Sequence, residues 1–321
     1  MWYNKVVIPN PSICYNVKGP ENMSNTKMRR MFVLVAAVCL SVLFLAGCGE
    51  KERIDEATWN GIVELPGGVT LPMVKVEAGR TFRMGLSDEN NKIVMEELRE
   101  SIALYEEIYE KKVEFQRTVT LKHDYYIGRT EVTQAQWNAL MDQNLSYFKG
   151  DDLPVETVSW NDAQEFCRKL NELYAGKLPA GYRFDLPTLA QWVYAARGGK
   201  NGKGFQYSGS DDVDAVAWCE MNAEEKTHPV GTKQPNELGL YDMSGNVYEW
   251  CRDWAEFGLP EDMEFLRGNI EGRWGRVNCG GSWHLDVDGC LVYEDVGGAS
   301  QPDSRSYNIG FRLALVPEDK K

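Results

Sequence analysis

Polar and apolar residues alternate along several short stretches of this chain, as they do in β-strands with one buried face. The stretch Met73–Gly85 predicts two short strands around a turn at Ala78-Gly79, and Thr118–Trp137 resumes the alternation. Between them, residues 87–116 have the apolar spacing of an amphipathic helix, with Glu and Lys on the opposite face. The apolar positions that share one face are Leu98, Ile102, Tyr105 and Ile108. We therefore predict a helical insertion between strand-rich parts of one domain.

Three further stretches have the pattern of helix N-termini, each with a capping side chain, a Gln three residues later and a nearby aromatic residue. The predicted N-caps are Thr133, Asn161 and Thr188. The third helix is predicted to end at Arg197-Gly198-Gly199, because glycine tolerates the left-handed backbone that ends many helices. Beyond this point helical periodicity is almost absent, and Gly, Asn, Asp and Pro interrupt short runs. The second half is therefore predicted to be rich in loops.

The N-terminal residues have the pattern of a targeting segment. Met28-Arg29-Arg30 precedes an apolar run that extends from Met31 to Ala46. This run is shorter than the about 20 residues that a membrane-spanning helix needs. It ends in Leu45-Ala46-Gly47-Cys48, which resembles the lipobox of bacterial lipoproteins, although an ordinary signal peptide or a short anchor has a similar pattern.

These patterns divide the chain into three parts. Residues 1–47 are predicted to be a signal peptide with an over-called N-terminal extension, and residues 48–69 a lipidated tether. Residues 70–321 form the domain, with its insertion at 87–116. Lipid on Cys48 would attach the protein to a membrane of the bacterial cell envelope, facing the periplasm or the cell surface.

Charge and cysteine content restrict the possible partners. The net charge is −13, and it becomes −17 without residues 1–47, which carry five basic residues and one acidic residue. This charge argues against nucleic acid as a partner. Five cysteines follow the lipobox, and an odd number leaves one thiol over if the others pair in an oxidising compartment. They are Cys167, Cys219, Cys251, Cys279 and Cys290.

Seven stretches, taken in order, resemble the sulfatase-modifying-factor family, whose founding activity is formylglycine generation. They are MVKVEAGRTFRMG, YYIGRTEVTQAQWNALM, LPVETVSWNDAQEFC, LPTLAQWVYAARGG, THPVGTKQPNELGLYDMSGNVYEWCRDW, CGGSW and PDSRSYNIGFRLAL. The resemblance covers about Met73 to Leu315. It implies an α+β domain with the loop-rich, C-type-lectin-like fold of formylglycine-generating enzymes, into which residues 87–116 are inserted.

The resemblance implies a structural calcium ion in the stretch Gly239–Trp254. Carried over by position, the carboxylates of Asp242 and Glu249 and the backbone carbonyls of Met243, Gly245 and Val247 would bind it. Calcium takes about six to eight oxygen ligands, and backbone carbonyls serve well. In the alternative interpretation, Asp242 and Asn246 cap turns and Glu249 pairs with an arginine. Arg312 is independently predicted to form a buried ion pair.

The copper site of formylglycine-generating enzymes is not expected here. In that family two cysteines near a Gly-Gly-Ser motif bind Cu(I), which prefers soft thiolate ligands. The resemblance places Leu285 at the first of these positions and Cys290 at the second, and one thiolate is a poor copper site. Family members without the copper pair imply instead a Cys167–Cys290 disulfide. Cys251 and Cys279 flank two predicted core strands and are the other candidate pair.

Non-haem iron is not expected either. A branch of the family that makes sulfoxides binds iron through three histidines, largely from an added helical domain. This chain has only His123, His228 and His284, and it has no such domain. His228 lies in the sequence THPVG and is predicted to order a turn.

Two functional hypotheses follow from the residues and from the resemblance. The first is a lipid-anchored module of the cell envelope that binds or assembles an envelope protein, a peptide or a glycan. The second is an O₂-dependent oxidase of the formylglycine-generating or non-haem iron type, which acts on a protein cysteine and uses Cys290. Copper content and oxidation of a cysteine peptide would distinguish them.

Overall fold

A computed structural model describes residue 59 and residues 61–85, 116–255, 275–292 and 298–318. The predicted signal peptide, the lipidation site at Cys48 and residues 87–115 of the helical insertion lie outside these residues. In the part that the model describes, no helix has the length and apolar character that a membrane span requires.

An antiparallel five-stranded sheet carries much of the core. Its strands are β1 (Ile62–Glu64), β2 (Thr70–Val76), β5 (Tyr125–Gly128), β6 (Tyr182–Asp185) and β11 (Ala314–Pro317). Their order across the sheet is β1-β2-β5-β11-β6, so the last strand of the chain pairs between two earlier ones. All four residues of β5 are buried, which explains their continuous apolar sequence.

Two smaller sheets complete the strand pattern. A hairpin-like pair joins β3 (Thr81–Gly85) to β4 (Gln116–Thr120), and the cross-strand partner of Gly85 is Gln116. Both ends of the predicted insertion therefore leave the domain side by side. The other sheet has the order β10-β7-β8-β9, and only its β10–β7 pair is parallel. Its strands are β7 (Tyr248–Trp254), β8 (Arg276–Cys279), β9 (Gly298–Ser300) and β10 (Ile309–Gly310).

The described helices are short, and the sequence located two of their starts correctly. They are α1 (Gln134–Asn138), α2 (Trp160–Leu173), α3 (Leu189–Ala196) and α4 (Val213–Val216). Thr133 and Thr188 cap α1 and α3, each in a reciprocal capping box with the Gln at the third helical position. The prediction of Asn161 as a cap was wrong, because Ser159 caps α2 and its box partner is Asp162.

The predicted tether was wrong over residues 61–69. Residues 62–64 form β1, which pairs with β2, and the side chains of Val63 and Leu65 are buried in the core. Only three residues alternate here, and glycine and proline lie close by in the sequence, so the strand pattern is too short to recognise. The folded domain therefore begins before residue 70.

The region between α3 and β7 is rich in loops, as predicted. Gly198 ends α3 in the left-handed conformation, with φ of 80°. Residues 199–247 then contain only α4, one 3-10 turn and isolated bridges. Such a segment stays ordered only if its polar groups find partners inside the protein. Residues 239–249, which we call the central loop, show how this is achieved.

Candidate functional site

The polar side chains of the stretch Gly239–Glu249 face the interior. Asp242, Ser244, Asn246 and Glu249 are each at most 3% exposed. Each of these side chains hydrogen-bonds to another segment. Their near-alternate spacing therefore marks neither the solvent-exposed face of a strand nor solvated charges in a loop. The ties of the first three are Asp242 Oδ2 to the amide of Gly231 (2.7 Å), Ser244 Oγ to the carbonyl of Cys290 (2.9 Å) and Asn246 Oδ1 to the amide of His228 (3.0 Å).

Glu249 and Arg312 form the buried ion pair that the sequence predicted for Arg312. Both side chains are fully buried, and two guanidinium nitrogens donate to the two carboxylate oxygens at 2.5 and 2.6 Å. Trp192 Nε1 donates to the same carboxylate at 2.7 Å. Arg312 also donates to the carbonyls of Gly128 and Tyr241. The pair therefore joins β7, α3 and β5 to the segment before β11.

Two further carboxylates lie close to this ion pair. Glu131 is fully buried, and neither of its oxygens has a hydrogen-bond partner among the described residues. Burial, together with the nearby charges of Asp242 and Glu249, raises the pKa of Glu131 well above its usual range. Burial likewise raises the pKa of Asp242 to about 6, and its Oδ1 also lacks a partner among the described residues. Three carboxylates thus surround one guanidinium.

The calcium ligands predicted from the resemblance fit this arrangement only in part. Asp242 has a buried oxygen without a donor, as an oxygen ligand of a hard cation would. Both oxygens of Glu249 already accept hydrogen bonds from Arg312 and Trp192. Among the described side chains, no group of three or more His, Cys, Asp or Glu could hold a metal ion.

The five cysteines of the domain are buried thiols. Cys167 lies in a cluster with Phe166 and Leu170, whereas Cys290 lies in another cluster with Cys219. The structure therefore does not bring Cys167 and Cys290 together, as the implied disulfide would require. The sulfur atoms of Cys251 and Cys279 are 3.8 Å apart, across β7 and β8.

Leu285 and Cys290, the residues that the resemblance places at the copper positions of the family, lie close to the Gly-Gly-Ser motif in the chain. Leu285 packs against Gly289. A Cβ atom added to this glycine would lie only 2.7 Å from Leu285 Cδ1, so a larger residue would not fit here. The sulfur of Cys290 lies beneath Gly281 of the Gly-Gly-Ser motif and is fully buried. Leu285 therefore packs against the residue that precedes Cys290.

The surface beside this motif is a cleft of about 730 Å³. We call it the aromatic cleft, and its lining residues are Tyr147, Phe148, Glu220, Glu225, Trp283, His284 and Tyr307. No cysteine is among these lining residues. The sequence pointed to this neighbourhood only through the Gly-Gly-Ser motif, because the other residues come from segments that are distant along the chain.

The histidines have separate surroundings. His284 is exposed and lines the aromatic cleft. His228 stacks on Trp218 at a centroid distance of 3.7 Å and hydrogen-bonds the carbonyl of Ala223. His228 therefore orders a turn, as predicted. His123 lies in the loop between β4 and β5.

Comparisons with known proteins agree with this architecture. The chain is 39% identical over 218 residues to a chaperone protein, LppX, of Paenibacillus barcinonensis, covering 54% of this chain and 73% of the relative. It is 35% identical over 176 residues to the formylglycine-generating enzyme of Streptomyces coelicolor, covering 50% of this chain and 52% of the relative. A bovine protein described as an inactive C-alpha-formylglycine-generating enzyme 2 is 31% identical over 176 residues, or 51% of this chain and 50% of the relative. The chain spans about half the length of the formylglycine-generating enzymes that it matches.

The fold has relatives among solved structures. Treponema denticola variable protein 1 superimposes with a TM-score of 0.63 at 30% identity, covering 80% of this chain and 98% of that protein. This match confirms the predicted α+β fold of the formylglycine-generating type. The family model of the sulfatase-modifying factor enzyme 1-like domain matches residues 69–316. The chain therefore belongs to the family of sulfatase-modifying factor enzyme 1-like domains.

Proposed function

We propose that this protein is a binding or assembly module of the bacterial cell envelope, anchored by lipid on Cys48, that has no copper-dependent formylglycine-generating activity. Its partner is an envelope polypeptide, held at the aromatic cleft. The relatives that are described as a chaperone and as an inactive enzyme support a role without oxidation.

One observation carries this proposal. The cleft beside the Gly-Gly-Ser motif is lined by aromatic rings and carboxylates and contains no thiol among its lining residues. Three of the six large apolar side chains exposed in the described part of the chain line this cleft or directly follow a lining residue. They are Tyr147, Met221 and Tyr307. Exposed apolar surface beside a cavity marks an interaction site more often than a structural one.

Site-specific photocrosslinking tests where a partner binds. Tyr147, which is 72% exposed, is replaced by a photoreactive phenylalanine analogue in the producing bacterium, and Leu173 on α2 is replaced in the same way as a control. We expect a crosslinked polypeptide from position 147 and none from position 173. A result in which neither position crosslinks, or both crosslink equally, would contradict a partner site at the cleft.

Copper binding separates the two functional hypotheses. We expect the purified protein to bind Cu(I) weakly and to leave a cysteine peptide unoxidised in the presence of O₂. The variant Leu285→Cys adds a thiol facing the Cys290 segment and should bind Cu(I) more tightly, whereas the matched variant Leu285→Ser should not. Tight Cu(I) binding by the unaltered protein, lost in Cys290→Ser or Cys219→Ser and accompanied by oxidation of the peptide, would favour the oxidase.

We further propose that the central loop binds calcium through Asp242, with backbone carbonyls of Met243, Gly245 and Val247. The oxygen of Asp242 that has no donor among the described residues supports this proposal. The carboxylate of Glu249 already accepts three hydrogen bonds, which counts against its being a ligand. Calcium should raise the melting temperature of the protein, and Asp242→Asn should abolish the increase. A melting temperature that is the same in calcium and in chelator would refute the proposal.

A further inference from the structure

The aromatic side chains of the cleft form a closed circuit of ring contacts. The centroid of Tyr147 lies 5.0 Å from that of Phe148, and Phe148 lies 5.6 Å from Trp283. Trp283 lies 5.6 Å from Tyr307, which returns to Tyr147 at 6.1 Å. The ring of His284 contacts both Trp283 and Tyr307. Ring pairs at these distances support one another, so the cleft has a continuous wall of aromatic surface.

Negative charge accompanies this wall. Glu220 and Glu225 line the cleft, and both are exposed. Among the described residues neither carboxylate takes part in an ion pair, whereas the neighbouring Glu224 pairs with Lys226. No Lys or Arg is among the residues that line the cleft. The lining of the cleft therefore carries negative charge, which a cationic ligand would complement.

The backbone that carries Glu225 is held in an unusual conformation. Glu224 and Glu225 have φ angles of 52° and 58°, a left-handed region that residues with a side chain rarely adopt. Hydrogen bonds fix both sides of this pair, because the amide of Lys226 and the ring of His228 each bond to the carbonyl of Ala223. The backbone of Glu225, which lines the cleft, therefore belongs to a turn that hydrogen bonds hold in place.

We propose that the aromatic cleft binds the cationic side chain, lysine or arginine, of a polypeptide partner. The faces of Trp and Tyr rings attract an ammonium or guanidinium group, and the two carboxylates complement its charge. The inference rests on the proposed binding function and names the chemistry that this function recognises.

The dimensions favour a residue within a polypeptide over a small free cation. An open cleft of about 730 Å³ has room for more than one side chain. Met221, which directly follows the lining residue Glu220, is 71% exposed and offers apolar surface to the residues that flank the cation. A neutral sugar also stacks on aromatic rings, but it would leave the two carboxylates without a counter-charge.

Blocked pentapeptides of sequence Gly-Gly-X-Gly-Gly test this inference on the purified protein. X is arginine, lysine, citrulline or norleucine, and binding is followed by saturation-transfer NMR and calorimetry. Citrulline has the shape of arginine without its charge. We expect the arginine and lysine peptides to bind at least about 5-fold more tightly than their neutral counterparts, and we expect salt at about 0.5 M to reduce this ratio. Equal affinity for the arginine and citrulline peptides would overturn the inference.

Single variants locate the effect at the cleft. Glu220→Gln and Glu225→Gln should each weaken binding of the arginine peptide by about 2- to 5-fold and leave the citrulline peptide unchanged. Glu224→Gln removes the same charge from an adjacent residue that does not line the cleft, and it should have no effect. All three residues are exposed, so none of these changes should unfold the protein. Equal losses in Glu224→Gln and Glu225→Gln would contradict a site at the cleft.

Further outcomes separate this inference from the proposed function. If an oligomer of N-acetylglucosamine binds and the arginine peptide does not, the inference fails and the cleft binds a glycan instead of a polypeptide. If crosslinking from position 147 succeeds while no cationic preference is found, the partner site stands and the inference fails. If neither the peptides nor the crosslink engages the cleft, both proposals fail.

Discussion

At the scale of single residues, the buried ion pair between Glu249 and Arg312 joins β7 to the segment before β11. Replacing Arg312 with Met should lower the free energy of unfolding by about 3–5 kcal/mol, because it leaves the Glu249 carboxylate buried without a counter-charge. Urea unfolding measures this loss.

A second variant tests the physical reason. In the double variant Glu249→Gln/Arg312→Met the buried charge is gone, and the amide oxygen can still accept from Trp192 Nε1. The double variant should therefore be more stable than the sum of the two single losses predicts. Strict additivity of the two losses would show that the charges are not coupled.

Asp253 should make the stability depend on pH. Its side chain is buried and accepts a hydrogen bond from the amide of Leu189, and burial raises its pKa from 3.8 to about 7. The folded state thus holds this proton more tightly than the unfolded state. The contribution to stability is complete below about pH 4 and is lost as the pH rises through about 7, with a limit of about 4 kcal/mol.

The variant Asp253→Asn isolates this contribution. Its amide oxygen can keep the hydrogen bond from Leu189, and it does not titrate. As the pH rises from about 4 to about 7, the unfolding free energy of the unaltered protein should fall relative to that of this variant. A difference that stays constant across this range would show that Asp253 does not titrate in the folded protein.

The sequence predicted the structural role of a residue correctly where that residue lies in a recognisable local motif. It indicated a buried ion pair for Arg312 and a structural role for His228, and both were confirmed. It did not identify Glu131 or Asp253, which are buried carboxylates without a local signature. Their surroundings arise from packing between distant segments, and periodicity along the chain does not report this.

At the scale of elements, the sequence predicted a helix start correctly where the predicted capping box forms. Thr133 and Thr188 lie three residues before the Gln that completes each capping box, and both boxes form. In α2 the same pattern at Asn161 and Gln164 competes with Ser159 and Asp162. The structure selects the earlier box, whose Asp162 also binds Arg305 through two hydrogen bonds of 2.8 and 2.9 Å. Sequence spacing alone does not contain this long-range partner.

The two candidate caps of α2 can be compared directly. Ser159→Ala removes the side chain that accepts from the Asp162 amide and should cost about 1–2 kcal/mol of unfolding free energy. Asn161→Ala changes an exposed side chain inside the first turn and should change stability by less than about 0.5 kcal/mol. Thermal or urea unfolding of both variants checks the order, and a larger loss for Asn161→Ala would restore the cap that the sequence suggested.

At the scale of the whole molecule, the aromatic cleft explains the limit of sequence reasoning. Its residues come from four segments, which lie near residues 147, 220, 283 and 307. The third and fourth segments belong to stretches that carry the family resemblance, whereas the first two lie between such stretches. The fold was predictable because ordered motifs extend over the whole domain, whereas the cleft depends on how the loops between them meet.

A disulfide between Cys251 and Cys279 would connect β7 to β8 and stabilise the entire domain. Mild oxidation should link these two thiols, whose sulfur atoms are 3.8 Å apart, and should leave Cys167 unlinked. The link closes a loop between residues 28 positions apart, so it should stabilise the domain by about 3 kcal/mol by restricting the unfolded chain. Peptide mass mapping without reductant identifies the pair, and urea unfolding of the oxidised protein against Cys251→Ser measures the gain. A Cys167–Cys290 peptide in that map would contradict the separation of these two thiols into different clusters.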